Sequence, residues 1–358
     1  MKILVIGINV RHIACSAARA GHQVYAIDCY CDLDLARCAS ETALLPREKA
    51  EEYIPNYLER FCPDAVVFGP GLEEASAKGF RVLNNPPEKT SQVADKLWLA
   101  GWLEENGFPC IPTLSSSDEA VFPAVVKPRK GAGGVGCRIV RKQEELQMQE
   151  GLIIQELIAG RPASVSVIST GREARALAVN EQLIGEAWAG AEGFRYCGNI
   201  TPLEPPHCGM AGMAEEIIAG LGLVGSNGVD FLLTEKGPVA VEVNPRFQGS
   251  LDTVEHHTGL NVFQAHLEAF EGRLPPRCAA ALPLHEVAGR AIIYAHRDLQ
   301  IKEDLSGIWT TDVPQPGSRI KKADPIMSVQ AMARSRDDVL ALLKERVSGL
   351  YRSLDAKL

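Results

Sequence analysis

Two short stretches hold residues whose types and spacing could do chemistry. In the first, Val125-Val126-Lys127-Pro128 leads into Arg129-Lys130-Gly131-Ala132-Gly133-Gly134-Val135-Gly136, so an apolar run ends on a lysine and opens into a turn with four glycines in six residues. Glycine has no Cβ and tolerates positive φ, so backbone N–H groups can converge on a phosphate while the lysine adds a point charge. A flexible hairpin turn is the competing reading, because short glycine runs are common there. The order GxxxxGK[ST] is absent, which excludes a P-loop. In the second stretch, Gly228-Val229-Asp230-Phe231 is followed, across Glu235-Lys236-Gly237, by Val241-Glu242-Val243-Asn244-Pro245-Arg246. Side chains at i and i+2 of a strand share a face, so Glu242 and Asn244 point together and a hairpin can bring Asp230 beside them. Two carboxylates and an amide oxygen are hard ligands suited to Mg²⁺ on nucleotide phosphates. A half-exposed polar strand edge would show the same Val-Glu-Val-Asn alternation.

The elements that must position these groups can be read from the periodicities. Residues 2–6 form an apolar strand broken at Gly7, 10–20 are helix-forming and closed by Gly21, and 23–27 make a second strand ending at Asp28. A helix over 49–61, a strand over 65–68 and the turn Gly69-Pro70-Gly71 extend this βαβ opening. Residues 1–85 thus read as a small doubly wound α/β domain that closes at Asn84-Asn85-Pro86-Pro87. For 86–275 the sequence predicts one helix over 91–106, then strands over 124–127, 137–140 and 152–155, and a bend at Gly160-Arg161-Pro162. Strand-like alternation over 164–179, a helix over 209–221 and a hairpin of 228–233 with 239–243 complete an α+β middle domain. A Pro-rich stretch at 274–283, a strand over 290–295, a turn at 314–317 and an amphipathic helix over 336–353 form a third, smaller domain, 276–358.

In combination these motifs resemble the ATP-grasp superfamily. The likeness rests on Asp95-Lys96, the Lys127 strand with its glycine turn, Ile154-Gln155-Glu156-Leu157-Ile158, Gly228-Val229-Asp230-Phe231 and Glu242-Val243-Asn244-Pro245-Arg246. It covers 86–275 and looks most like the biotin-carboxylase-related carboligases and carboxylate–amine ligases. The resemblance implies an ATP-grasp fold with an N-terminal Rossmann-like (pre-ATP-grasp) domain and a small C-terminal biotin-carboxylase-like domain. By the same resemblance, Lys96 and Lys127 contact ATP phosphates and Gly131, Ala132, Gly133, Gly134, Val135 and Gly136 close over them. Gln155, Glu156, Leu157 and Ile158 hold the adenine, while Asp230, Glu242 and Asn244 bind magnesium. Arg246 joins Lys127 as a catalytic residue, stabilising charge on the transferred phosphoryl group. The implied activity is an ADP-forming ligase that joins a small-molecule carboxylate to an amine through an acyl phosphate. The implied cofactors are ATP and Mg²⁺, with Mn²⁺ as its substitute, and a homodimer is the implied assembly. A bicarbonate-activating carboxylase and a nucleotide-binding regulator are the rival readings; the chain has no Met-Lys-Met biotinylation site. The positions after the bend where relatives carry a ribose-binding carboxylate are Pro162 and Ala163. Substrate contacts are expected from 195–202 and 248–250.

Other features carry less. Gly7-Ile8-Asn9-Val10-Arg11 with Asp28 could be a dinucleotide turn, but the second and third glycines of GxGxxG are missing. His256-His257 has no motif partner. The 358 residues, 46% hydrophobic and 23% charged, can bury a sizeable core in two or three domains. A net charge of -8 argues against nucleic-acid partners. No run approaches the roughly 18 apolar residues of a membrane span, and the apolar start ends at Gly7 before Arg11, so the cytoplasm is the expected location. Ten cysteines without a CxxC pair predict reduced thiols, with zinc at Cys29, Cys31 and Cys38 disfavoured.

Overall fold

The computed structural model of the protein describes residues 1–116, 119–277 and 286–355. Its N-terminal segment is a parallel sheet in the order Glu41–Leu44, Gln23–Asp28, Lys2–Ile6, Ala65–Phe68. Strand Lys2–Ile6 is apolar at every position but the first, because both of its faces are covered. Ile3 and Val5 join a core that includes Phe247 and Phe263 of the middle segment, whereas Leu4 and Ile6 pack with Leu58 and Phe61. Helix Arg11–Arg19 occupies its expected place, and Gly21 follows with φ +83°.

Two differences from the sequence reading have clear causes. The single helix expected over 91–106 is two, Pro87–Val93 and Lys96–Glu105, because the Asp95 carboxylate accepts from the Leu97 and Trp98 N–H groups and starts a new helix. The alternation of 164–179 belongs to two strands, Arg161–Thr170 and Ala174–Ile184, which reverse at Gly171 with φ +89°.

A four-stranded antiparallel sheet orders Thr113–Leu114, Leu152–Glu156, Ala124–Pro128, Arg138–Val140 around Ala124, Val126, Val140 and Ile154. The largest sheet has eight strands in the order Gly237–Asn244, Val224–Thr234, Arg161–Thr170, Ala174–Ile184, Tyr196–Thr201, Val287–Tyr294, Pro325–Ala333, Thr310–Thr311. It crosses from the middle segment into the C-terminal one where Thr201 pairs Ala288 and Gly198 pairs Ala291. Helix Arg336–Asp355 covers its C-terminal end. The Pro-rich stretch at 274–283 lies partly outside the described residues.

The thiols differ from expectation at one place: Cys15 and Cys38 form a disulfide across 23 residues, joining helix Arg11–Arg19 to helix Leu33–Cys38. Folding brings together two cysteines that no CxxC spacing marks. Among the described residues no helix is long and apolar enough to cross a membrane.

Candidate active site

The hairpin of Val224–Thr234 with Gly237–Asn244 sets the acidic corner. Asp230 lies opposite Glu242 and Gly228 opposite Asn244, the registration expected from the i, i+2 argument. Both Asp230 oxygens accept amide hydrogen bonds: Oδ1 from Gln182 Nε2 at 3.1 Å and Oδ2 from Asn244 Nδ2 at 3.2 Å. Burial, and then the neighbouring Glu242 charge, raises the Asp230 carboxyl above the ordinary carboxylate range. Two carboxylates and an amide on facing strands offer the oxygen atoms that a divalent cation prefers. Among the described residues no group of three or more His, Cys, Asp or Glu is placed to hold a metal ion.

Two lysines reach this corner from other elements. Lys127, at the end of strand Ala124–Pro128, is 7% exposed; burial lowers its pKa against the opposing pull of Glu242. Lys96, 6% exposed at the first turn of its helix, has Nζ 3.5 Å from Glu242 Oε2 and donates to the Gly131 carbonyl at 2.6 Å. Asp95 fixes that helix start and also binds Arg129 at 2.6 Å, which ties the helix to the base of the glycine turn.

The glycine turn uses the freedom that only glycine supplies. Gly131, Gly133, Gly134 and Gly136 all have positive φ, and the turn leans on the segment before strand Tyr196–Thr201, where Tyr196 N–H donates to the Gly133 carbonyl at 3.4 Å. A Cβ on Gly134 would sit 1.9 Å from the Phe194 carbonyl oxygen. Gly134→Ala is therefore expected to hold the turn off this segment and lower turnover by about 10-fold or more while the melting temperature stays near that of the unmodified protein, a misplacement effect. An unchanged kcat would show that the close approach is dispensable.

The Gln155–Ile158 stretch divides. Gln155 is buried and spends its amide on Thr113 Oγ1 at 2.7 Å, and Leu157 N–H donates to the Pro123 carbonyl at 3.0 Å. Glu156 is exposed. Ala163 is fully buried and Pro162 carries no polar side chain, so neither supplies a ribose contact.

Arg246 lies 2.7 Å (Nε) from Glu73 Oε1 and also donates to the Phe247 carbonyl at 3.0 Å and to Asn244 Oδ1 at 3.3 Å. Glu73 and Gln182 are contacts that the sequence reading missed, since neither sits in a motif. A buried ionic cluster joins the three segments behind 248–250: Arg11 pairs with Asp252 at 2.6 Å and Asp312 at 3.0 Å, and Arg290 pairs with Asp312 at 2.5 Å and donates to the Gly249 carbonyl at 3.0 Å. Next to it, burial and the Arg11 charge pull the His12 imidazole down to about 3.

The dinucleotide alternative fails on geometry. Asp28 is fully buried and its carboxylate accepts from the N–H groups of Val10, Tyr30 and Cys31, leaving it committed to its own turn rather than to a ribose. His256 and His257 end helix Leu251–Thr258, with His257 Nδ1 3.1 Å from the Glu286 carbonyl, outside the lysine and carboxylate cluster. A cavity of about 700 Å³ opens in the C-terminal segment between His296, Arg319 and Tyr351, and none of the residues of this cluster lines it.

A strand-end lysine beneath a glycine turn, facing a carboxylate hairpin across two sheets, defines an ATP-grasp arrangement. Residues 93–250 match the family described as ATP-grasp domain, the domain found in the ATP-dependent ligases to which this chain is similar. It is 24% identical to an uncharacterised protein of Methanocaldococcus jannaschii over 96% of this chain and 92% of that one. It is 27% identical to the 3-methyl-D-ornithine–L-lysine ligase of Methanosarcina mazei over 46% of this chain, spanning 43% of that ligase. The fold is similar to biotin carboxylase from Campylobacter jejuni, with a TM-score of 0.75 at 15% identity over 94% of this chain and 89% of that one.

Proposed function

We propose that the chain joins a small-molecule carboxylate to an amine at the expense of ATP, through an acyl phosphate. The observation that carries this reading is the convergence of Lys96, Lys127, Glu242 and Asp230 beneath a glycine turn. Lys96 and Lys127 would grip the phosphates, and 131–136 would cover them and exclude water that hydrolyses an activated carboxylate. Gln155, Glu156, Leu157 and Ile158 would lie along the adenine, the Leu157 N–H being already given to the Pro123 carbonyl. Asp230, Glu242 and Asn244 would hold magnesium or manganese, which neutralises phosphate charge when bound. Asn244 Oδ1 accepts from Arg246 at 3.3 Å and keeps a second lone pair for the metal. Arg246 would then stabilise charge as the phosphoryl group leaves ATP for the carboxylate. The amine displaces phosphate in the second half. The Methanosarcina mazei relative, by name a ligase of two amino acids, supports an amine as acceptor.

A phosphate-release screen of paired carboxylates and amines, with ATP and magnesium, tests this reading. Release that needs both partners is the expected result. Release with bicarbonate and no amine would make the protein a carboxylase, and the absence of any acceptor-dependent release would make it a nucleotide-binding regulator.

A further inference from the structure

We propose that Glu73, on the turn that follows strand Ala65–Phe68, is a positioning residue that sets the guanidinium of Arg246 for phosphoryl transfer; the inference rests on the role given to Arg246 above. An arginine has five N–H donors in one rigid plane. Three are taken: Nε faces Glu73, one Nη1 hydrogen goes to the Phe247 carbonyl and one Nη2 hydrogen to Asn244. One N–H on each Nη atom therefore stays free for reacting oxygens, and the fork cannot rotate without breaking three contacts.

The acid that does this is itself held. Glu73 Oε2 accepts from the Gly71 N–H at 2.8 Å, so both carboxylate oxygens are engaged. Gly71 has φ +84°, and a Cβ there would lie 2.4 Å from Ile8 Cδ1, so the turn is pressed against the N-terminal strand's exit. Ile8 N–H donates to the Pro70 carbonyl at 2.8 Å and closes the same turn. Glu73 and Arg246 are 21% and 17% exposed, enough enclosure for the pair to outweigh a surface ion pair.

The charge that Glu73 balances would otherwise go elsewhere. Arg246 donates to Asn244 Oδ1 at 3.3 Å and Asn244 Nδ2 donates to Asp230 Oδ2 at 3.2 Å, so one amide separates the guanidinium from the Asp230 carboxylate. Released from Glu73, the guanidinium would be drawn to the Asp230 and Glu242 carboxylates, which are needed for the metal. Glu73 thus keeps the cation beside the metal ligands without letting it neutralise them, and it does so from the N-terminal segment.

Glu73→Gln keeps size and an acceptor oxygen but removes the charge. In the full chain, affinity for ATP with magnesium is expected to change less than about threefold, while affinity for ADP, magnesium and aluminium fluoride, which imitates the group in transfer, falls by about 10-fold or more. In an Arg246→Ala background the same substitution should have no further effect, because the two residues act as one unit. Equal affinity of Glu73→Gln and the unmodified protein for the fluoride complex overturns the proposal. Full additivity with Arg246→Ala overturns it, and so does failure of the unmodified protein to bind the fluoride complex. If Glu73→Gln does not fold, Glu73→Asp, which withdraws the carboxylate by one methylene, is judged by the same outcomes. No arm of this test needs a carboxylate or amine, so loss of the ligase reading would be seen separately, in the phosphate-release screen.

Discussion

Glu242→Gln should abolish magnesium-dependent turnover while leaving a folded protein. Groups that merely orient a metal ligand are worth about 10–100-fold, so removing a ligand's charge should cost at least the upper end of that range, about 10²-fold, in metal-stimulated rate. Glutamine keeps an oxygen near Lys96 Nζ, now 3.5 Å from Glu242, so the packing of that lysine is retained. Asn244→Ala should act in the same direction, and it also frees one oxygen of Asp230, which now accepts from the Asn244 amide. Magnesium titrations of turnover decide the matter. If either variant shows unmodified rates at the usual magnesium concentration, Asp230, Glu242 and Asn244 do not form the metal site. Loss of thermal stability alone, with magnesium dependence unchanged, would reduce Glu242 to an ion-pair partner.

Lys127 and Arg246 should separate in kinetics although both are cations proposed to face the same phosphates. Lys127 is buried at a strand end and would contact ground-state ATP and transition state alike. Such uniform binding raises KM without lowering kcat. Lys127→Ala should therefore weaken ATP binding by about 10–100-fold, the worth of one charge-assisted hydrogen bond of about 1.5–3 kcal/mol. Arg246→Ala should leave ATP affinity within a few-fold and lower kcat by about 10²–10³, as when one preorganised donor to developing charge is removed. Calorimetric ATP affinities beside steady-state rates make the comparison. An Arg246→Ala protein that loses ATP binding but keeps kcat at saturation would reverse the two assignments.

The site was legible where chemistry follows from local spacing. Asp230, Glu242 and Asn244 meet because strand periodicity and a hairpin turn require it, and Lys127 is fixed because its strand ends at Pro128. Contacts that depend on how distant segments dock were not legible. Glu73 lies in a turn-rich stretch with no periodicity, and Gln182 lies on a strand whose start was merged with its neighbour. The Asp95 cap escaped because the helical pattern continues across it, and only the side chain's competition with the backbone marks the break. Cys15 and Cys38 pair across two helices, which spacing alone does not disclose.

The eight-stranded sheet limits what can move. Tyr196–Thr201 and Val287–Tyr294 are neighbours in one ladder, so the middle and C-terminal segments cannot hinge apart without parting backbone hydrogen bonds. The N-terminal sheet is fastened to that frame by a shared apolar core containing Phe247 and Phe263. The small sheet that carries Lys127 and the glycine turn belongs to no such ladder; the chain leading into it bridges to the large sheet at Cys110 with Ala240, and the glycine turn touches it where Tyr196 N–H donates to the Gly133 carbonyl. Breathing of the molecule should thus be concentrated in one flap over a fixed chassis. Nucleotide would enter and leave by tilting that flap, while the acceptor side keeps its shape throughout the cycle.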